Sequence, residues 1–262
     1  MTWCFLVLAM AGTAFGQPKE PLKQRVVDLG GEVKMEFVLI PAGEFLMGSP
    51  DSDQDALSDE KPQHAVRITR PFYLGKYEVT QEQWQAVLGA NPSDFQGAKN
   101  PVDRVTWADC QVFLAALNAS SVGGKDRFAL PTEAQWEYAC RAGTTARFSA
   151  GDDVGTLDQE GWYRANSGGQ THPVGEKRPN AWGLCDMHGN VWEWCADWLD
   201  WKYYSNSPAV DPMGPALPPW RIFRGGGWDS GAAFCRSASR LANQPDYRIH
   251  ALGLRVSLVP VE

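Results

Sequence analysis

The sequence predicts a single domain that mixes short strands with short helices and has little regular secondary structure. Its 262 residues include 26 glycines, 18 prolines and 12 tryptophans, and 44% are hydrophobic. Glycine and proline interrupt regular elements, whereas tryptophan buries a large apolar surface. From residue 147 to residue 220 neither helical nor strand periodicity is apparent. We therefore expect a loop-rich domain held together by aromatic side chains.

Short strands are predicted near both ends of this domain. Met35–Ile40 and Glu44–Met47 are rich in apolar residues, and a Pro-Ala-Gly turn separates them. Phe72–Val79 is also apolar enough to form a strand. Near the carboxyl end, Ile222–Gly226 and Gly253–Val259 have the same character, and the second is expected to end the domain.

Three helices are predicted from their amino-terminal signals, the threonines Thr80, Thr106 and Thr132. Two of these threonines precede a glutamine by three residues, which is the pattern of a capping box. After Thr106, apolar side chains recur at helical spacing at Trp107, Cys110, Leu114 and Leu117. We expect the helices to end near Leu88, Gly123 and Gly143.

The acidic segment Ser49–Pro62 contains Asp51, Asp53 and Asp55 in an Asp-x-Asp-x-Asp arrangement. This arrangement resembles the start of a calcium loop, but Ala56 stands where an EF-hand requires glycine, and no glutamate closes the loop. We interpret the segment as a solvated loop. The formal net charge of -7 argues against nucleic acid as a partner.

The amino terminus has the pattern of a secretory signal peptide. An apolar run over residues 1–10 is followed by small residues up to Gly16, although no basic residue precedes the run. The run is too short to span a membrane as a helix, so no membrane span is expected. We predict a signal peptide over residues 1–16, a linker over 17–34 and a domain over 35–262 that is periplasmic or secreted.

The segment Asn180–Trp198 combines four tryptophans with two cysteines and the acidic residues Asp186, Glu193 and Asp197. A carboxylate resists burial unless it is paired or bound to a metal. From the residues alone we favour an aromatic core in which Glu193 pairs with an arginine. The alternative is an oxygen-rich ion site.

Taken together, these segments resemble the sulfatase-modifying-factor family, which includes the formylglycine-generating enzyme. The resemblance extends over nearly the whole mature chain, and its motifs occur in family order at Ile40–Ser49, Tyr77–Thr80, Leu130–Tyr138, Asn180–Trp194, Arg224–Trp228 and Gly253–Arg255. It implies an irregular α+β fold similar to that of C-type lectins, often with bound calcium.

The family enzyme oxidises a sulfatase cysteine to formylglycine with oxygen and a copper ion held by two cysteines. Counted from Gly227, the resemblance places Ser230 and Cys235 at the two copper positions, with Arg240 in the same substrate site. An alignment counted backward from Arg240 moves Cys235 off its position. Because Cu(I) prefers thiolates, a serine is a poor replacement. We expect neither bound copper nor standard formylglycine generation.

The resemblance also implies two kinds of stabilising site. A calcium ion would be held by Asp186, Gly189, Val191 and Glu193, all through oxygen atoms, and this implication favours calcium over the ion pair at Glu193. A second calcium site would begin at Asn166 and Ser167, although the loop that supplies its other ligands is shortened here. A disulfide would join Cys140 and Cys235.

Two functions remain open at this point. The first is an exported, calcium-stabilised binding or accessory domain that recognises a protein or a glycan. The alternative is an oxidoreductase of the formylglycine-generating type that acts on a protein cysteine or on another substrate.

Overall fold

A computed structural model describes residues 22–120, 122–216 and 219–259. The predicted signal peptide, residues 1–16, lies outside these ranges. The described residues form short strands in three sheets, together with four α-helices and long irregular connections. The predicted mixture of short strands and short helices is confirmed. No helix in the described ranges is long and apolar enough to cross a membrane.

The largest sheet of the described residues has five antiparallel strands in the order β1-β2-β5-β11-β6. Its core side chains, such as Phe37 and Leu74, are completely buried. The strands span Gln24–Gly30 (β1), Val33–Ile40 (β2), Phe72–Gly75 (β5), Arg127–Ala129 (β6) and Ser257–Val259 (β11).

Strand β1 corrects the predicted boundary of the domain. Residues 24–30 were assigned to a linker that ended at residue 34, but they pair along β2. Burial alternates along this strand, but Val27 is its only buried residue and the apolar Val26 is 55% exposed. The sequence therefore shows no clear alternation of apolar and polar residues. The hairpin turn is formed by Gly31 and Glu32, and both of them and Gly30 have left-handed backbone, which glycine adopts without strain.

A second sheet has the strand order β10-β7-β8-β9, with β10 parallel to β7 and the other neighbours antiparallel. Its strands are Trp192–Trp198 (β7), Arg221–Arg224 (β8), Arg240–Asn243 (β9) and Leu252–Leu254 (β10). Strand β7 lies in the region that was expected to be irregular throughout. All of its residues are buried or half-buried, so it shows no alternation.

The carboxyl-terminal strand predicted over residues 253–259 is two strands that belong to different sheets. Arg255 and Val256 separate β10 from β11 and carry the chain from one sheet to the other. The third sheet is the hairpin of Gly43–Met47 (β3) and His64–Ile68 (β4).

The three predicted helices are present and begin where their caps predict. They are α1 (Gln81–Leu88), α2 (Trp107–Ala119) and α3 (Glu133–Arg141). Each has a complete capping box, in which the threonine and the third residue of the helix exchange hydrogen bonds. A fourth helix, α4 (Val154–Glu160), was missed because it is short and carries little apolar pattern.

Candidate functional site

Buried arginines hold the irregular part of the fold together. The side chains of Arg224, Arg236, Arg240 and Arg255 are among the most completely buried of the described residues. Each makes an ion pair with at least one carboxylate that is distant in sequence. Since an unpaired buried charge is very costly, these pairs fix which loops lie against which helices.

Arg240 does not face an open substrate groove. Its guanidinium donates to both carboxylate oxygens of Glu133 at 2.7 Å, and to the carbonyl oxygen of Asp59 at 3.0 Å. It also lies over the ring of Tyr204, 4.4 Å from the ring centroid. The structure therefore places Arg240 in the core beside the first turn of α3, separate from the two predicted copper positions.

The carboxyl-terminal half of the acidic segment is not a solvated loop. Asp59 and Glu60 are buried, and Glu60 accepts hydrogen bonds from Arg236 at 2.7 and 2.8 Å. Arg236 also donates to Asp53 at 3.2 Å. The earlier interpretation is wrong for these residues, because the partner arginine lies 176 residues further along the chain.

The two predicted copper positions lie in the loop that follows β8, but they do not offer two thiolates. The hydroxyl oxygen of Ser230 accepts a hydrogen bond from the backbone N–H of Gly227 at 3.0 Å. Cys235 is completely buried, and its sulfur lies 3.8 Å from the carbonyl oxygen of Gly231. Burial raises the pKa of the Cys235 thiol to about 12. In the metal-free protein this thiol is therefore protonated and shielded from solvent, unlike a reactive cysteine.

The predicted disulfide between Cys140 and Cys235 is not formed, and both residues are free thiols. The imidazole of His188 contacts both residues. It lies 3.7 Å from the sulfur of Cys140 and 2.7 Å from the carbonyl oxygen of Cys235. The other three cysteines of the described residues are also free and buried: Cys110, Cys185 and Cys195.

Next to Ser230, the chain presents a partly exposed aromatic surface. The ring of Trp228 meets Phe95 edge-on at 5.4 Å and lies 5.1 Å from the ring of His250. Phe234, which is 41% exposed, packs against the buried ring of Trp192. We call Phe95, Trp228 and His250 the Trp228 face.

The backbone holds Trp228 in a fixed position. Its N–H donates to the carbonyl oxygen of Asn190 at 2.8 Å, and its own carbonyl oxygen accepts from Ser167 at 2.8 Å. The indole N–H donates to the carbonyl oxygen of His250 at 2.9 Å. The Trp228 face is therefore preorganised, which lowers the entropic cost of binding a ligand.

Glu193 pairs with an arginine, as the residues alone had favoured. Arg255 donates to both of its oxygens at 2.8 to 3.1 Å, and the indole N–H of Trp136 donates at 2.6 Å. Both members of the pair are at most 1% exposed. Of the four residues implied as calcium ligands, Glu193 thus already has protein partners.

Asp186 fits the implied calcium site better than Glu193. Its oxygen Oδ2 accepts from the N–H of Gly175 at 2.7 Å, whereas Oδ1 is buried without a hydrogen-bond partner. Burial raises the pKa of Asp186 to about 6. Burial, and then the charges of Asp186 and Glu193, raise the pKa of Glu78 well above its usual value. Three carboxylates thus surround one guanidinium, an arrangement that favours an added cation. The donor set fits calcium in part.

The second implied calcium set does not fit. The side-chain oxygen of Asn166 accepts from the N–H of Tyr163 at 2.8 Å, and the carbonyl oxygen of Ser167 lies 2.7 Å from a ring nitrogen of His172. Both oxygens are therefore engaged by nearby protein groups. The short loop between Ser167 and His172 makes these contacts possible.

Two important residues of this centre were missed as site residues, Glu78 and Arg255. Each lay inside a motif that was noted for its resemblance, and each is a charged residue flanked by apolar ones. Such a charge in an apolar run indicates a buried partner. Which residue is the partner was not predictable from local sequence, because Arg255 lies 62 residues from Glu193.

Comparison with known proteins identifies the family of this chain. The family model of the sulfatase-modifying factor enzyme 1-like domain matches residues 24–258. The chain belongs to this family. The match begins at the first residue of β1, in agreement with the domain boundary that the structure indicates.

Two similar relatives are named for different activities, one as a chaperone and one as an enzyme. The chaperone protein LppX of Paenibacillus barcinonensis is 33% identical over 250 residues, which cover 76% of this chain and 80% of LppX. The formylglycine-generating enzyme of Streptomyces coelicolor is 31% identical over 284 residues, which cover 83% of this chain and 87% of the enzyme.

The solved structure of Treponema denticola variable protein 1 superposes with a TM-score of 0.82. It is 31% identical and covers 90% of this chain and 99% of that one. The fold is thus α+β and C-type-lectin-like, as predicted.

Proposed function

We propose that this protein is a binding or accessory domain that recognises a segment of another protein, and that it does not generate formylglycine with copper. The observation that carries the proposal is the state of the two copper positions. One holds a serine whose hydroxyl is hydrogen-bonded to Gly227, and the other holds Cys235, a completely buried thiol. Cu(I) has no accessible pair of thiolates at this place.

The Trp228 face is the surface that we assign to binding. Aromatic side chains that are partly exposed and held rigidly are typical anchors of protein interfaces. The chaperone named LppX shares 33% of its residues with this chain over the aligned region, which favours a protein as the ligand. A glycan is the other ligand that the partly exposed ring of Trp228 would fit.

We also infer that the domain is exported and that it binds one calcium ion. The pattern of residues 1–16 supports export. The unpartnered oxygen of Asp186 and the surplus of carboxylate around Arg255 support a cation, with ligands from Asp186, Gly189, Val191 and Glu193. Glu193 would have to serve Arg255 and the ion together.

Calcium is tested by thermal unfolding in excess calcium and in a chelator. We expect calcium to raise the melting temperature of the natural protein, and Asp186→Ala to abolish this difference. Magnesium serves as the control ion, since it prefers a smaller octahedral site. Equal melting temperatures in calcium and chelator would remove calcium from the proposal without affecting the binding function.

Copper is tested by titration with Cu(I) in competition with a coloured chelator. We expect no copper bound at nanomolar free concentration in the natural protein. Ser230→Cys is expected to remain without tight copper, because Cys235 stays buried. Stoichiometric copper in the natural protein would contradict the proposal.

Binding is tested with a peptide library displayed on phage and measured against the purified domain. For a selected peptide, Trp228→Ala is expected to weaken binding by about tenfold or more, as for an aromatic anchor. Trp201→Ala is the matched control, because Trp201 is 57% exposed and lies outside the Trp228 face. Equal losses in both variants, or no selectable peptide, would count against a protein ligand.

The alternative is an oxidoreductase of the formylglycine-generating type. The 31% identity to the Streptomyces coelicolor enzyme favours it. It would need a redox centre other than copper held by two cysteines, and it would act on a protein cysteine or on another substrate.

A further inference from the structure

A cavity of about 520 Å³ opens between the acidic segment and the chain that follows α3. The residues that give it charge are Asp53, Asp55, Arg141, Arg147, Asp152 and Arg236. Neither Ser230 nor any residue of the Trp228 face lines it. Its volume lies within the range of about 300 to 1,000 Å³ that is usual for small-molecule sites.

Two of the three guanidinium groups are neutralised by carboxylates that do not line the cavity. Arg141 lies 2.8 Å from an oxygen of Glu137, and Arg236 donates to Glu60 at 2.7 and 2.8 Å. All four side chains are at most 4% exposed. These two arginines therefore add little net charge to the cavity.

The remaining charged groups leave the cavity negative. Arg147 contacts Asp55 and lies 3.8 Å from Asp53, so one guanidinium serves two carboxylates. One oxygen of Asp152 accepts a hydrogen bond from the backbone N–H of Arg147 at 2.9 Å, and no cationic side chain of the described residues forms an ion pair with Asp152. The lining carries three carboxylates and three guanidinium groups, and Arg236 also donates to Asp53 at 3.2 Å. Because Arg141 and Arg236 are paired mainly with Glu137 and Glu60, the lining carboxylates are in excess, which favours a cationic ligand.

Arg147 also shows which chemistry this cavity accepts. Its guanidinium is 29% exposed and lies against Asp55, at the edge of the open space. A guanidinium from outside the chain would make the same kind of contact.

We propose that this cavity binds the cationic side chain of a basic residue, with its guanidinium or ammonium group between Asp55 and Asp152. Arg147 is an internal competitor for the same carboxylates. The site is separate from the Trp228 face and does not depend on the function proposed for that face.

The test is a titration of the isotopically labelled protein followed by backbone amide shifts. The probes are blocked arginine (N-acetyl-arginine amide) and the corresponding citrulline compound, which has nearly the same shape but no charge. We expect saturable shifts around residues 53–55 and 147–152 with arginine only. No saturable shift there, or equal shifts with citrulline, would overturn the proposal.

Variants locate the site and separate it from general charge effects. Asp55→Asn and Asp152→Asn are expected to weaken binding about two- to fivefold each, as for partly exposed ion pairs. Asp51→Asn is the matched control, because it makes the same charge change on an exposed residue that does not line the cavity. An equal loss in Asp51→Asn would overturn the proposal.

The competitor role of Arg147 gives a gain-of-binding test. Arg147→Gln is expected to strengthen arginine binding about two- to fivefold, since it frees Asp55. Lys125→Gln, which changes the charge equally on an exposed residue outside the cavity, is the control. If Arg147→Gln binds no more tightly than Lys125→Gln, the assigned position is wrong.

Two sources of the cation are distinguished by comparing free arginine with a blocked peptide that contains it. Tighter binding of free arginine indicates an amino acid ligand, whose carboxylate is also recognised. Tighter binding of the peptide indicates a basic residue of a partner protein.

Discussion

Replacing Arg255 with methionine should remove one of the central connections of the fold. The guanidinium makes five hydrogen bonds, three to Glu193 and one each to the carbonyl oxygens of Gly75 and Cys185. Methionine fills a similar volume but leaves Glu193 as a buried charge without a cationic partner. Breaking a buried pair in this way costs about 3 to 5 kcal/mol.

The expected loss for Arg255→Met is therefore about 4 kcal/mol of unfolding free energy, before the two carbonyl groups are considered. For a domain of this size, about 1 kcal/mol lowers the melting temperature by roughly 2 to 4 °C. A decrease of about 8 to 16 °C should follow. Urea unfolding monitored by tryptophan fluorescence, in a calcium chelator, measures the free energy directly.

A second variant shows whether the loss comes from the unpaired charge. The double variant Glu193→Leu, Arg255→Met leaves no buried charge at this place and should recover much of the stability. A loss below about 1 kcal/mol in the single variant would refute the reasoning. So would a double variant that is no more stable than Arg255→Met alone.

Further predictions concern packing, pH and thiol reactivity. Gly161→Ala should abolish stable folding, because the added Cβ would lie 1.6 Å from the carbonyl oxygen of His188. Gly231→Ala is the control: its Cβ would meet open space, so the unfolding free energy should change by less than about 0.5 kcal/mol. Thermal melts of both variants check this. Burial raises the pKa of the Asp197 carboxyl group to about 7. Because the folded state holds this proton more tightly than the unfolded state, the group stabilises the fold fully below about pH 4, and this stabilisation is lost as the pH rises towards 7. Asp197→Asn should reduce the part of that loss that falls between pH 5 and pH 8, roughly 3 kcal/mol. Urea unfolding at these two pH values measures it, and an unchanged pH dependence would contradict the prediction. Finally, the five buried cysteines should not react with a thiol reagent before denaturation, as peptide mapping would show.

Local signals predicted the helices well, because a helix start depends on few neighbouring residues. The caps at Thr80 and Thr132 form the expected reciprocal hydrogen bonds, and Thr106, which was predicted only as a cap, forms the same bonds with Asp109. Strands β2 and β3 were also predicted, since a Pro-Ala-Gly turn lies between their apolar runs, although they belong to different sheets.

Strands whose character depends on distant partners were not predictable in the same way. Strand β1 has one buried residue and an exposed Val26, and β7 is covered on both faces, so neither sequence alternates clearly between apolar and polar residues. Their assignment depends on pairing with β2 and with β8 and β10, which single-sequence patterns do not contain.

The candidate site was predicted in its chemistry but only partly in its geometry. The pairing of Glu193 with an arginine follows from the cost of a buried carboxylate, and the structure confirms it. The partner of Arg240 was not predictable, because Glu133 lies 107 residues away and no local pattern connects them. The disulfide was implied by resemblance alone, and the structure does not form it.

The measurement that tests the proposed function most directly is turnover. The purified protein, loaded with Cu(I) in the presence of oxygen, is incubated with a peptide that contains Cys-x-Pro-x-Arg, and the products are analysed by mass spectrometry. Because Ser230 and the buried Cys235 offer no pair of thiolates, we predict that the peptide cysteine remains unchanged. Formation of the aldehyde product that depends on copper and oxygen would contradict the proposal.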